Sequence, residues 1–297
     1  MGTAVKTLYV SEKKVVPNKN LVIGVDLTLF IHKFFAVYKT RNAEPFATII
    51  DNKKEYTSHL YGLFKSFEPI SQNNTIVFIM DKNSSLGLKR NTREKRRSQT
   101  EKRERRIQKY LEDPRTFELA KKESMKRTHY IINQELLEEV FRDVGWNLIY
   151  AELADAEKLG ATMITKGILD YFITTDSDTL LFGSDYVKQI KVEGEQLKLE
   201  IISLNKTLEE NKISYEELVK MGIIAGTDYS PGIPRIGPKK ALAYLQNNKF
   251  PEELSEIYSY FTSRDDIELK KPLTLSFNKE NYLKWVTKLN ITLDVNY

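Results

Sequence analysis

Four short apolar runs in this chain each lead, within four residues, to an acidic side chain. The runs are Leu21–Val25, Thr75–Met80, Trp146–Ala151 and Tyr171–Thr175. Each is too short for a typical helix and almost continuously apolar, which is typical of a strand buried on both faces of a sheet. Helix-forming sequence separates the runs. This alternation predicts an α/β fold with a parallel, doubly wound sheet flanked by helices.

The acids that follow these runs would meet at one edge of such a sheet, where doubly wound folds bind their ligands. They are Asp26, Asp81, Asp155, Glu157, Asp176 and Asp178. A single Asp after a strand usually caps the next helix, but caps do not explain the two acid-x-acid doublets. Six carboxylates at one edge repel one another unless cations neutralise them. The pattern therefore predicts a metal site.

The composition narrows the kind of metal and the compartment. The chain has no cysteine and only three histidines, which disfavours thiolate and His-rich zinc sites and leaves a hard ion held by oxygen. The polar residues 1–20 lack the apolar core of a secretory signal, and no apolar run is long enough to cross a bilayer. We therefore expect an intracellular protein, nuclear or cytoplasmic, without a membrane partner.

Positive charge is concentrated between Lys89 and Arg127. This stretch has 16 Lys and Arg against 7 Asp and Glu, whereas the whole chain carries only +5. Helix formers dominate it, and Pro114 predicts a break. The asymmetry favours a basic surface for a polyanion, separate from the acids. A solvated, charged helix is the simpler alternative.

A second segment with the character of a phosphate-binding site follows the predicted helix Ile213–Ile224. It runs through Asp228 into a Gly-Ile-Pro-x-Ile-Gly turn, and two lysines open the next helix. Glycines permit a tight turn with exposed backbone N–H groups, and a helix N-terminus favours phosphate. The pattern predicts a helix-hairpin-helix that grips a nucleic-acid backbone without reading bases, through Gly232, Ile233, Gly237, Lys239 and Lys240.

Two other interpretations of this segment are a P-loop and a purely structural turn. Gly232 and Gly237 have the spacing of a P-loop, but Pro238 stands where the lysine would be and a helix, not a strand, precedes the loop. A purely structural turn stays open.

Together these segments resemble the flap endonuclease (XPG-type) 5′-nucleases. The likeness covers about residues 21–245 and rests on GVD at 24–26, Asp81 after its strand, DAE at 155–157, TTDSDTLLFG at 174–183 and GTDYSPGIPRIGPKKA at 226–241. The resemblance implies a nuclease core with a helical arch, and metal-dependent cleavage of phosphodiester bonds in DNA with 5′ flaps or ends. It also implies that Asp228 joins the six acids as a seventh metal-binding residue.

Further roles are implied by the resemblance alone. Two Mg²⁺ or Mn²⁺ ions would act at the acids, with Asp81, Asp155, Glu157 and Asp176 forming the closer shell, and K⁺ would assist duplex binding at the hairpin. In the arch, Lys89 and either Arg96 or Arg97 would face the scissile phosphate. His32 stands where the family often stacks a Tyr on the terminal base.

The chain departs from the family in places. It begins Met1-Gly2-Thr3 rather than with the usual Met-Gly-Ile, and it shows no recognisable sliding-clamp box. We expect three parts, namely a lead at 1–20, a nuclease core at 21–205 with the arch at about 86–130, and a hairpin region at 206–297. A monomer is the default expectation. An RNA-directed 5′-nuclease, a non-catalytic branched-DNA-binding protein and a small-molecule phosphohydrolase are the alternatives.

Overall fold

The structure is a computed structural model that describes residues 3–40, 45–82, 90–125, 132–152, 154–263, 273 and 275–290. Its strands are β1 (Val10–Pro17), β2 (Val22–Asp26), β3 (Ala47–Ile50), β4 (Lys53–Tyr56), β5 (Thr75–Asp81), β6 (Asn147–Ala151), β7 (Tyr171–Ile173), β8 (Tyr186–Glu193) and β9 (Gln196–Ser203). Seven of them form one sheet in the order β1-β9-β8-β7-β2-β5-β6, and β3 pairs with β4 in a separate hairpin.

The four predicted strands form the parallel centre of the sheet. They are β2, β5, β6 and β7, and β8 adds a fifth parallel strand beside β7. The complete sheet is mixed, because β9 runs antiparallel to β8 and β1 antiparallel to β9. After β2 the chain adds strands on one side, and after β6 it crosses to the other. The strand order thus reverses between β2 and β7, the position where ligands of such sheets bind.

Helices cover both faces of this centre. Along β5, Ile76 and Phe78 pack into one apolar cluster, while Val77 and Ile79 pack into another on the opposite face. Alternate residues of a strand point to opposite faces. A strand covered on both sides must therefore be apolar throughout, which explains why the predicted runs show no polar alternation.

The described α-helices are α1 (Leu27–Val37), α2 (Ser58–Ser71), α3 (Arg90–Leu111), α4 (Phe117–Met125), α5 (Gln134–Val144), α6 (Ala156–Thr165), α7 (Leu204–Asn211), α8 (Tyr215–Ala225), α9 (Pro238–Asn247), α10 (Ser255–Thr262) and α11 (Lys279–Lys288). Helices α1, α2, α5 and α11 pack on one face of the sheet and α6 on the other. A third apolar cluster joins α8, α9 and α10 to the amino-terminal segment and to the 3-10 helix Ser177–Phe182.

One helix boundary differs from the sequence expectation. We expect the helix that begins near Thr57 to end before Pro69, but α2 continues to Ser71. Proline has no N–H to donate to the carbonyl four residues earlier, and its ring crowds that carbonyl, so it usually kinks or ends a helix. The next residue, Ile70, is buried in the main core, and its packing outweighs the lost hydrogen bond. The prediction that this helix ends before Pro69 was therefore wrong.

The lead that we expect before the first strand itself contains a strand of the main sheet. Residues 10–17 form β1, which pairs with β9 along its whole length. The basic stretch is helical as predicted, in α3 and α4, with the break at Pro114. Within the described part of the chain, no helix has the length and apolar character needed to cross a membrane.

Candidate active site

The parallel strands deliver the predicted acids to one edge of the sheet. Asp26 and Asp81 are the last residues of β2 and β5. Asp155 and Asp176 stand at the N-terminal boundaries of the helical elements that follow β6 and β7, and Glu157 lies in the first turn of α6. Because the carboxyl ends of parallel strands share an edge, residues far apart in sequence become neighbours.

Asp26 lies at the point where the strand order reverses. Its side chain accepts hydrogen bonds from the Leu29 amide at 3.1 Å and the Thr174 hydroxyl at 3.0 Å. Burial and the nearby Asp81 nevertheless raise the pKa of Asp26 to about 7, and Asp176 adds to this effect. The repulsion of Asp26 by Asp81 and Asp176 is relieved by a proton and would likewise be relieved by a bound cation.

Asp81, Asp155 and Glu157 form the tightest acidic group in the described part of the chain. Each offers a carboxylate oxygen, and these oxygens lie within 4.8 Å of one another. Asp81 also accepts a 2.7 Å hydrogen bond from the Ala156 amide, which ties the end of β5 to the start of α6. Three converging carboxylate oxygens are ligands that a hard divalent cation prefers.

The remaining acids continue from this group across β7. Thr174 accepts a hydrogen bond from the Asp176 amide, and Asp176 accepts one from the Asp178 amide, both at 3.0 Å. Asp178 in turn accepts a 3.3 Å bond from the backbone N–H of Asp228. Hydrogen bonds thereby link Asp26, Asp176 and Asp178 to one another, and Asp228 joins them through its backbone N–H.

Two tyrosines border the Asp176–Asp178 segment. Tyr9, from the amino-terminal lead, donates its hydroxyl to the Ser177 carbonyl at 3.1 Å. Burial, followed by the charge of Asp178, raises the pKa of Tyr9 well above its usual value. Burial also raises the pKa of Tyr186, and the negative charge of Asp176 is the next largest cause. Both phenols therefore stay protonated and available as donors.

The amino-terminal segment reaches the same edge despite its atypical sequence. Thr3 is fully buried, and the Ala4 amide donates to the Gly226 carbonyl at 3.1 Å. Gly226 precedes the candidate metal residue Asp228 by two positions. The start of the chain thus supports the loop that carries the seventh acid.

The predicted hairpin lies directly after that loop. Gly232 has a φ of +73°, and a methyl group there would clash with the backbone of α8 and the residue after it. The Ile233 amide donates to the Ile224 carbonyl at 2.7 Å, which folds the turn back onto α8. Gly237 precedes α9, and Lys239 and Lys240 in its first turn are exposed. The arrangement presents helix-start amides and two cations together.

The predicted basic residues of the arch are less fully described. Lys89 lies outside the described residues. Arg96 is part of α3, and its side chain likewise lies outside what the structure describes. Arg97 is 84% exposed and pairs with Glu101 one turn along the helix. His32 is partly buried on α1, six residues after Asp26.

Several residues at this edge were missed by sequence reasoning. Thr174 bonds to Asp26, and Tyr229 and Tyr260 both donate to Asp155. Thr174 and Tyr229 sit inside the quoted motifs, beside acids, and could have been singled out. No sequence pattern pointed to Tyr260, because it lies 105 residues from Asp155, its hydrogen-bond partner.

Fold and site together define an α/β protein whose carboxylate edge suits a divalent cation and a phosphate ester. A family model described as the XPG I-region matches residues 148–228, which include five of the seven acids. The chain is 30% identical to flap endonuclease 1 of Thermococcus onnurineus, covering 84% of this chain and 79% of that protein. It is 29% identical to the Pyrococcus abyssi enzyme, covering 83% and 73%.

Solved structures agree on the fold. Flap endonuclease-1 from Methanococcus jannaschii superposes with a TM-score of 0.62 at 23% identity, over 93% of this chain and 90% of that one. The catalytic core of Rad2 gives 0.60 at 15% identity, over 96% and 92%. The chain belongs to the flap endonuclease (XPG-type) family of structure-specific 5′-nucleases. The family resemblance, the α/β fold and the assignment as a nuclease are thereby confirmed.

Proposed function

We propose that this protein cleaves phosphodiester bonds in DNA with 5′ flaps or 5′ ends, using two divalent ions held by the seven acids. The observation that carries the proposal is the group of Asp81, Asp155 and Glu157, whose carboxylate oxygens lie within 4.8 Å of one another. Asp26, Asp176, Asp178 and Asp228 would complete the ligand set. Mg²⁺ and Mn²⁺ both suit oxygen ligands of this kind.

The chain's own residues hold these acids in place before any ion binds. Thr174 and the Leu29 amide orient Asp26, and the Ala156 amide orients Asp81. Bound divalent ions would supply Lewis-acid chemistry, activating water and stabilising charge on the phosphate and its leaving oxygen. The protein side chains then need only position the acids and the substrate, which agrees with a chain containing three histidines.

We propose that substrate selection is by shape and charge. The exposed Lys239 and Lys240 would contact the backbone of duplex DNA at the first turn of α9, with K⁺ assisting at the hairpin. The basic helix α3 would admit a single 5′ strand, with Lys89 and Arg96 or Arg97 near the scissile phosphate and His32 against the terminal base. Backbone contacts of this kind give strong salt dependence and little sequence preference.

The test is cleavage of a 5′-labelled flap duplex with Mg²⁺, compared with EDTA and with Asp176→Asn. Asp170→Asn is the matched control, since Asp170 accepts a hydrogen bond from Val22 at the opposite edge of the sheet. We expect wild type and the control to cut near the junction, and no product from Asp176→Asn or with EDTA. Product length separates flap cutting from 5′→3′ exonuclease action.

Two outcomes would overturn the proposal. Binding of the flap without cleavage, in Mn²⁺ as well as Mg²⁺, would indicate a branched-DNA-binding protein. Faster cleavage of a matched RNA flap than of the DNA flap would indicate an RNA-directed nuclease.

A further inference from the structure

The carboxylate of Asp155 is held by two tyrosines from different parts of the chain. The Tyr229 hydroxyl donates to Oδ2 of Asp155 at 2.7 Å, and the Tyr260 hydroxyl donates to the same oxygen at 3.1 Å. All three residues are at least nine-tenths buried. Tyr229 directly follows a candidate metal residue, whereas Tyr260 comes from α10, far along the chain.

A buried lysine connects Tyr260 to the helix that carries Glu157. The Nζ atom of Lys158 lies 4.3 Å from the centroid of the Tyr260 ring and donates to the Ser263 hydroxyl at 2.9 Å. Lys158 is 3% exposed and immediately follows Glu157 in α6. A cation over a phenol ring is attracted to its π face. Helix α10 is thereby tied to the start of α6 beside the acids.

Two donors on one carboxylate oxygen constrain how the group can rotate. With Oδ2 of Asp155 engaged by both phenols, the carboxylate is held beside Asp81 and Glu157, with which it would share a cation. Hydrogen bonds from neighbouring side chains orient metal ligands in this way, and their loss typically weakens metal binding by about ten- to a hundredfold.

We propose that Tyr260 is a positioning residue of the metal site, acting through Asp155 together with Tyr229. The inference rests on the proposed metal-dependent function. It gives the carboxyl-terminal part of the chain a direct role in the metal site, since α10 supplies the donor. Aromatic packing against Phe182 and Tyr229 explains the ring of Tyr260 but does not require its hydroxyl.

Tyr260→Phe isolates the hydroxyl, because it keeps the ring that Lys158 and Phe182 contact. Tyr258→Phe is the matched control on the same helix, where Tyr258 lies near Phe250 and Lys220 instead. Binding of Ca²⁺ to the full chain is measured by calorimetry, and flap cleavage is then measured as a function of Mg²⁺ concentration.

We expect Tyr260→Phe to weaken Ca²⁺ binding and raise the half-saturating Mg²⁺ concentration by about tenfold. The cleavage rate at saturating Mg²⁺ should stay close to that of wild type, because the ion restores the site once bound. Tyr258→Phe should leave both quantities unchanged. Tyr229→Phe removes the other donor and should shift them in the same direction, which keeps the test decisive if Tyr260→Phe folds poorly.

Unchanged Ca²⁺ affinity and Mg²⁺ dependence in a folded Tyr260→Phe or Tyr229→Phe variant would show that the phenols only pack, while the proposed function would stand. Failure of the wild-type protein to cleave the flap in Mn²⁺ as well as Mg²⁺ would overturn the proposed function itself. The two failures are therefore distinguished by the wild-type measurement.

Discussion

Replacing Gly232 by alanine tests whether the hairpin turn is held in a conformation that only glycine allows. Gly232 has a φ of +73°, in the left-handed region. An alanine methyl would lie 2.8 Å from both the Gly226 nitrogen and the Ile224 oxygen, and 2.9 Å from the Ala225 carbonyl carbon. These neighbours are all backbone atoms, so no side chain can rotate away to make room.

The expected loss of stability has two parts. A left-handed conformation costs an L-residue about 1–2 kcal/mol. Forcing a methyl group into closely packed surroundings adds about 1–3 kcal/mol. The free energy of unfolding of Gly232→Ala should therefore fall by about 2–5 kcal/mol, measured by urea denaturation in the absence of DNA.

Gly194→Ala separates the two parts. Gly194 has a φ of +58° in the turn between β8 and β9, and a methyl group there meets no atom within 4 Å. It should lose only the conformational part, about 1–2 kcal/mol. Duplex DNA affinity should fall in Gly232→Ala and stay unchanged in Gly194→Ala. Equal losses of stability in the two variants would refute the argument that the backbone of α8 crowds Gly232.

Three further predictions concern separate features. Burial lowers the pKa of His59 from 6.5 to about 3, so below pH 6.5 the unfolded chain binds a proton that the folded chain does not. Urea denaturation should therefore show stability falling by about 1.4 kcal/mol per pH unit from pH 6.5 towards 4, relative to His59→Leu; parallel profiles would contradict this. In the double variant Lys239→Ala, Lys240→Ala, the slope of log affinity for duplex DNA against log salt concentration should become less negative by about 1.8. An unchanged slope would show that neither lysine contacts the DNA backbone. Tyr9→Phe removes the donor to the Ser177 carbonyl and should lower the free energy of unfolding by about 1 kcal/mol. No change in this free energy, measured by urea denaturation, would show that the hydrogen bond does not stabilise the fold.

The centre of the fold and the placement of Asp26 and Asp81 at one edge of the sheet could be predicted because their signals are local. A strand covered on both faces needs a continuous apolar run, and β2 and β5 are such runs. Parallel strands end at one edge by geometry, so placing Asp26 and Asp81 there required no knowledge of packing. The turn at Gly232 was likewise visible as a glycine pattern.

Other features could not be read locally. Strand β1 contains two lysines and exposed residues, and its place in the sheet depends on pairing with β9, whose residues lie 179 to 193 positions from their partners. Pro69 suggested a helix end, but the burial of Ile70 kept the helix intact for two more residues. In both cases a long-range contact outweighed the local preference.

The sequence by itself determined the α/β class, the parallel centre of the sheet, the positions of the acids and the basic helices. These follow from short-range periodicity and from which residue stands after each strand. Only the tertiary structure decided how the acids are held. It brought Tyr9 to Ser177 and Tyr260 to Asp155 across separations of 168 and 105 residues. Such pairings arise from the packing of whole helices and strands on one another, so they cannot be predicted from a local sequence pattern.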